Sequence, residues 1–262
     1  MKSGVLHIIF AIAGILLTAG CSSVEKPEKH LFILSGQSNM TGKLQHGFTK
    51  TVEQAFGQEN ITVVKSMKSG RGIRFWVKDY QYAKDRNLTA KKNASNGEEY
   101  PNLLKASKEA LLQQEYDTVT FIWMQGESDA QSQHGLSKVY GVNFEKLYNL
   151  LKKDLDLEKM NFVIGRISNY GLLKTVKNYS QERAVRWQEV RNAQVEVAEK
   201  HKDGAWINTD DLIDETDLHY LGDKPQILGK RFARKAIDLL INQHGNEILN
   251  VSFNRDKGEK FQ

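Results

Sequence analysis

The sequence predicts an α/β protein, a three-layer α/β/α sandwich around a central parallel sheet of about five strands. Two observations carry this expectation. Five short runs rich in β-branched and aromatic residues recur along the chain, each reading as a buried strand. Amphipathic stretches of helical length alternate with them, and that alternation calls for a parallel sheet covered on both faces.

The strand runs are LFILS (31–35), ITVVKS (61–66), TVTFIWM (118–124), NFVIGRI (161–167) and AWINT (205–209). The predicted helices are PNLLKASKEALLQQ, with Pro101 at its start, then VYGVNFEKLYNLLKKDL, QERAVRWQEVRNAQVEVAEKH and PQILGKRFARKAIDLLINQ. In the third of these, Ala184, Trp187, Val190, Ala193 and Val197 form one apolar stripe.

The chain opens MKSGVLHIIFAIAGILLTAGC, with Lys2, an apolar stretch from Val5 to Leu17 and small residues up to Cys21. This reads as an export signal over residues 1–20 rather than a membrane span. LTAGC resembles the lipobox of bacterial lipoproteins, with Thr18 three residues before the cysteine. That resemblance implies acylation of Cys21, a tether over residues 21–30 and a place in the periplasm or cell envelope, at the outer membrane, held there by the lipid alone. Ordinary secretion is the alternative. Cys21 is the only cysteine among 262 residues, so no internal disulfide is expected. Removal of the signal leaves 242 residues without a linker, a repeat or a low-complexity tract, which favours one large domain. The formal charge of +5 is too small and too dispersed to imply a nucleic-acid partner.

In α/β sheets, sites collect beyond the carboxyl ends of the strands. Four polar runs fall there. GQSN follows the first strand and places Ser38 on the turn at the start of the next helix. The alternative reading of Ser38 and Asn39 is an ordinary helix cap. A serine needs a base to act as a nucleophile, and His219, in ETDLHYLGD after the fifth strand, is a candidate. WMQGESDA follows the third strand. In it Gln125 offers an amide donor for an oxyanion, and Glu127 a carboxylate that can orient an imidazole. KSGRGIRFWVKDY follows the second strand, where Gly70 can present its backbone N–H. Trp76 and Tyr80 read either as core aromatics or as a sugar platform. His134 lies five residues past Asp129, with no second histidine at ligand spacing, so no metal and no cofactor are expected.

The order GQSNM, SGRGIRFWVKDY, WMQGESDA, DLHY resembles the SGNH hydrolases, and within them the sialate O-acetylesterase-like proteins and acetylxylan esterases of carbohydrate esterase family 6. The resemblance covers Leu31 to about Leu240 and includes VRNAQ at 190–194. It implies a flavodoxin-like catalytic domain over residues 31–244, followed by a tail over 245–262. It also implies Ser38 as nucleophile, His219 as base and an oxyanion hole made by the Ser38 amide, Gly70 and Gln125. The superfamily commonly carries an Asp three residues before the histidine. Here that position is Thr216, and Asp217 lies two before. Asp217 and Glu127 are therefore both candidates for the acid, with locality favouring Asp217. The expected activity is removal of O-acetyl groups from a carbohydrate through an acetyl-serine intermediate. The alternatives are a lipid or thioester acyl hydrolase and a non-catalytic surface glycan-binding lipoprotein.

Overall fold

The computed structural model describes residues 28–83 and 95–244. The expected signal, Cys21, most of the tether and the tail over 245–262 lie outside the described residues. Five strands form one sheet: β1 His30–Gly36, β2 Ile61–Met67, β3 Thr118–Met124, β4 Asn161–Gly165 and β5 Gly204–Ile207. Every pairing is parallel, and the order is β2-β1-β3-β4-β5, which is the flavodoxin-like order.

The expected strands are recovered with shifts of one or two residues at their ends. β4 and β5 stop earlier than NFVIGRI and AWINT because Arg166, Asn208 and Thr209 turn out of the sheet and bond one another. The Arg166 guanidinium donates to Asn208 Oδ1 (2.7 Å), and Thr209 Oγ1 donates to the Arg166 carbonyl (2.7 Å). All seven residues of β1 and of β3 are buried, whereas β2 at the sheet edge is half-buried throughout. Unbroken apolar runs thus belong to the strands with a neighbour on each side and helices on each face.

Among the described residues there are six α-helices: α1 Gly42–Phe56, α2 Tyr100–Leu111, α3 Glu127–Gln131, α4 Tyr140–Asp154, α5 Gln181–Lys200 and α6 Lys224–His244. α1 and α6 pack together on one face of the sheet, with α1 reaching β2 and α6 reaching β4 and β5. α2 lies against β1 and β2, and α5 against β4, β5 and α4. Aromatic rings join the layers. Phe48 of α1 meets Phe32 of β1 edge-on at 5.2 Å, and Phe144 of α4 packs on Phe121 and Phe162 at 6.4 and 5.3 Å. Each such ring removed from water contributes about 2–3 kcal/mol. None of the described helices is long and apolar enough to cross a membrane.

The boundaries of α1 are what the sequence hides best. Leu44, Phe48, Val52 and Ala55 follow a helical period and are buried, but Gly47 interrupts the pattern. The glycine is needed for packing: a Cβ on Gly47 would stand 2.3 Å from the Gln226 carbonyl oxygen, and one on Gly229 only 2.0 Å from that of Leu44. α1 and α6 touch backbone to backbone there.

Candidate active site

The strand order reverses between β1 and β3, so the crevice beyond their carboxyl ends is where this topology opens a site. Gly36 pairs with Met124 on one side and with Met67 on the other. The loops that follow β1, β2 and β3 therefore start side by side. Gly36 is a glycine because the chain turns there with φ +144°, and a Cβ would stand 1.9 Å from the Met124 carbonyl oxygen. That same carbonyl accepts from Gln37 N (2.9 Å).

Ser38 sits in a tight turn closed by Met40 N donating to Gln37 O (2.9 Å), half-buried among fully buried neighbours. The expectation that Ser38 opens the next helix is corrected: α1 begins at Gly42, and its cap is Thr41, whose Oγ1 accepts from Leu44 N (3.1 Å). Ser38 and Asn39 are thereby released from capping.

His219 comes from the loop after β5, yet its Nε2 lies 3.0 Å from Ser38 Oγ. Its Nδ1 lies 3.0 Å from Asp217 Oδ1, which also accepts from the His219 backbone N–H (2.8 Å). A carboxylate facing Nδ1 fixes the proton there and leaves the Nε2 lone pair for the serine hydroxyl. The backbone bond from His219 is the main cause that holds the Asp217 carboxyl below its ordinary range, with the imidazole contributing further. Both side chains stay open to solvent, 48% for His219 and 43% for Asp217.

Glu127 is buried and binds elsewhere: its Oε1 accepts from Asn39 Nδ2 (2.7 Å). Burial pushes its carboxyl up, against the lowering effect of the Asn39 bond, its own backbone N–H and the nearby His219. Of the two candidate acids, the one in contact with the imidazole is Asp217.

Gln125 is fully buried, and its amide NH2 points at three acceptors: Asp129 Oδ2 (2.6 Å), Gln37 Oε1 (3.1 Å) and Arg71 O (3.1 Å). To serve an oxyanion it must give up one of these bonds. Gly70, with φ +68°, lies in an open turn where a Cβ would meet nothing within 4 Å. It lines a cavity of about 220 Å³ together with Gly72, Arg74, Phe75, Ser128 and His134. The backbone N–H of that same Ser128 donates to Gln37 Oε1 (3.3 Å), so the cavity adjoins the loops around Ser38.

Trp76 and Tyr80 are buried, Trp76 edge-on against Trp123 at 5.2 Å, so they are core aromatics and not a sugar platform. Among the described residues, no group of three His, Cys, Asp or Glu side chains is arranged to hold a metal ion. His134 is exposed, whereas Asp129 is buried and accepts from Ile73 N (2.9 Å) as well as from Gln125.

Burial pushes the Asp129 carboxyl up to about 7, with the bonds from Gln125 and Ile73 opposing. An unfolded aspartate ionises near pH 3.8, so between that value and about 7 the unfolded chain sheds a proton that the folded chain keeps. Stability contributed at this position is therefore full below the lower value and falls by a few kcal/mol as pH rises through the window. Asp129→Asn, which cannot ionise, is expected to gain in Tm relative to the parent protein as pH goes from ~4 to ~7. A Tm difference that stays flat across that range contradicts the raised carboxyl.

Two residues that support the site are not among the candidates read from the sequence. Gln194 Oε1 accepts from Ile167 N (2.9 Å) and its Nε2 donates to Gln125 O (2.8 Å). Arg191 grips Asp210 with both terminal nitrogens (2.7 and 2.9 Å). Both are buried on α5, which ties the loops after β3, β4 and β5 together. The signal was available in VRNAQ, where Arg and Gln three residues apart share the apolar face.

A family model for carbohydrate esterases, described as sialic acid-specific acetylesterase, matches residues 43–238. The chain belongs to this family of carbohydrate esterases. The matched span of this esterase domain includes Gly70, Gln125, Glu127, Asp217 and His219; Ser38 and Asn39 lie just before it. No curated protein matches the chain. Among solved structures, an Arabidopsis thaliana protein is 18% identical with a TM-score of 0.57, the alignment covering 81% of this chain and 99% of that one. A carbohydrate acetylesterase from Xanthomonas citri is 14% identical with a TM-score of 0.55, over 81% of this chain and 56% of that one. A carbohydrate acetylesterase family member from Sinorhizobium meliloti is 11% identical with a TM-score of 0.52, over 81% and 99%. At these identities the likeness is one of fold, and the esterase domain shares the α/β architecture of these three proteins.

Proposed function

We propose that the protein is a serine esterase that removes O-acetyl groups from a carbohydrate through an acetyl-serine intermediate. The observation that carries this reading is the chain of contacts from Ser38 Oγ to His219 Nε2 and from His219 Nδ1 to Asp217 Oδ1, each 3.0 Å. In this mechanism Ser38 Oγ attacks the ester carbonyl while His219 Nε2 takes its proton. Asp217 holds the imidazole in the Nδ1–H tautomer and stabilises the imidazolium. The backbone N–H groups of Ser38 and Gly70 meet the developing oxyanion, and Gln125 joins them on releasing one of its internal acceptors. The C–O bond to the sugar breaks as His219 returns the proton to the leaving oxygen. Water, deprotonated by His219, then attacks the acetyl-Ser38 carbonyl, and acetate departs as Ser38 recovers its proton.

The carbohydrate part of the reading rests on the family, and acetate release from a panel of acetylated glycans tests it. Turnover of aryl acetates with no release from any glycan overturns the carbohydrate assignment and leaves the esterase. A serine-directed phosphonate separates catalysis from mere glycan binding, because a non-catalytic binder has no activated Ser38 to react.

For location, LTAGC supports a lipid anchor on Cys21. Cys21→Ala is expected to move the protein out of the membrane fraction or block its maturation. Unchanged fractionation with an unacylated Cys21 by mass spectrometry favours simple secretion.

A further inference from the structure

His219 belongs to a loop that starts at the edge strand β5, which β3 and β4 separate from β1, and both it and Asp217 are open to solvent. A hydrogen bond between two solvent-exposed side chains is weak support for a geometry that catalysis must hold to a fraction of an ångström. Something else must fix the loop. The residue that reaches it is Asn39, next to Ser38 and buried. Its Oδ1 accepts from Tyr220 N (3.3 Å), and its Nδ2 donates to Leu218 O (3.4 Å). These are the backbone groups on either side of His219. The same Nδ2 donates to Glu127 Oε1 (2.7 Å), the shortest of the three contacts. Glu127 Oε2 makes no hydrogen bond to the described protein. The loop is pinned a second time by Tyr220, whose hydroxyl donates to Thr209 Oγ1 (2.8 Å), which in turn donates to the Arg166 carbonyl (2.7 Å).

A carboxyl group buried with a single side-chain partner carries a desolvation cost of several kcal/mol that this one bond only partly offsets, which calls for an account of its place here. We propose that Glu127 and Asn39 form a clamp that fixes residues 218–220 against Ser38, so that both are positioning residues for His219 and Glu127 works through Asn39. The inference rests on the serine esterase reading for its catalytic consequence and on the hydrogen bonds alone for its structural one. Glu127 selects the rotamer and amide orientation of Asn39 by demanding a donor. Asn39 then presents its oxygen to Tyr220 N and its NH2 to Leu218 O. The clamp needs an oxygen acceptor at Glu127 and does not need its charge, because a protonated carboxyl and an amide each keep one such oxygen.

The test uses the full chain with Asn39→Ala, Glu127→Ala, Glu127→Gln and the Asn39→Ala/Glu127→Ala double variant, each checked by circular dichroism. Two readouts are taken. The first is hydrogen–deuterium exchange of the peptide spanning 214–222, which does not depend on activity. Both alanine variants are expected to raise its uptake at short times, and Glu127→Gln to restore most of the protection. The second is kinetics on an aryl acetate. Asn39→Ala and Glu127→Ala are each expected to lower kcat about 30- to 100-fold with KM within about threefold, as for a misplaced catalytic group. Glu127→Gln is expected to recover at least about tenfold of the loss, and the double variant to fall no further than the worse single one. Unchanged exchange in both alanine variants overturns the clamp, and so do losses that multiply in the double variant or appear only in KM. If Asn39→Ala fails to fold, the Glu127 pair decides: equal exchange and equal kcat for Ala and Gln overturns the proposal. A parent protein with no turnover and no phosphonate labelling removes the esterase reading, while the exchange data still decide the clamp.

Discussion

Ser38→Ala is expected to lower kcat on an aryl acetate by at least about a thousandfold with the fold unchanged, the loss that follows removal of a triad nucleophile. The side chain is suited to this test because little else depends on it. Ser38 lies in a turn beyond β1, half-buried, and the Oγ contact is with His219 at 3.0 Å. The helix that follows is capped by Thr41, so the substitution removes no cap. The Tm is accordingly expected to stay within a degree or two, since surface and turn changes of this kind shift stability by about 0.5 kcal/mol or less. Near-parental turnover by the alanine variant refutes Ser38 as the nucleophile, whereas collapse of the fold transfers its importance to structure.

Asp217→Asn has the next largest expected effect. The carboxylate accepts both from the His219 ring and from the His219 backbone. Both bonds end on the one oxygen Oδ1, so an amide that keeps its oxygen there keeps the bonds but loses the charge that stabilises the imidazolium, whereas the flipped amide presents its NH2 to Nδ1 and moves the ring proton to Nε2, leaving no lone pair for the serine proton. In a buried triad such a change costs about 10⁴-fold in kcat. Here the side chain is 43% exposed, and water can replace part of the lost charge. A loss of about 10²- to 10³-fold is therefore expected, larger than for Glu127→Gln, which keeps the oxygen that Asn39 needs. Kinetics on both variants and the double variant read the ranking directly. If Glu127→Gln is the more damaging, Glu127 acts by charge and Asp217 is dispensable. If the double variant keeps most activity, the enzyme runs on Ser38 and His219 alone.

Much of this was legible before any coordinates. The five strands follow from runs such as TVTFIWM, which survive because every residue of β3 is buried, whichever way it points. The helix α5 follows from its stripe, of which Ala184, Trp187, Val190 and Val197 are buried. Ser38 and His219 stood out because polar residues crowd the loops that follow strands whose interiors are mainly apolar. The start of α1 was not legible, because Gly47 breaks the helical pattern for the sake of contact with α6. Nor were the bonds of Asn39 to Leu218, Tyr220 and Glu127, since an asparagine after a serine near a helix start has a local explanation in capping.

The sequence by itself determined the layers and the edge of the sheet at which chemistry collects. Both are consequences of local period and of where apolar runs stop, and neither needs the order of the strands. Only the tertiary structure decided which groups meet. β1 and β5 lie at different places in the sheet, and no spacing in the chain says that the loop after Ile207 bends back over β3 and β4 to bring His219 within 3.0 Å of Ser38. In the sequence only nearness to His219 favoured Asp217 over Glu127. The fold separates the two, with Asp217 exposed beside the imidazole and Glu127 buried beneath Asn39. Contact between residues 181 positions apart is set by packing, and packing depends on the whole set of neighbours at once rather than on any stretch of the chain.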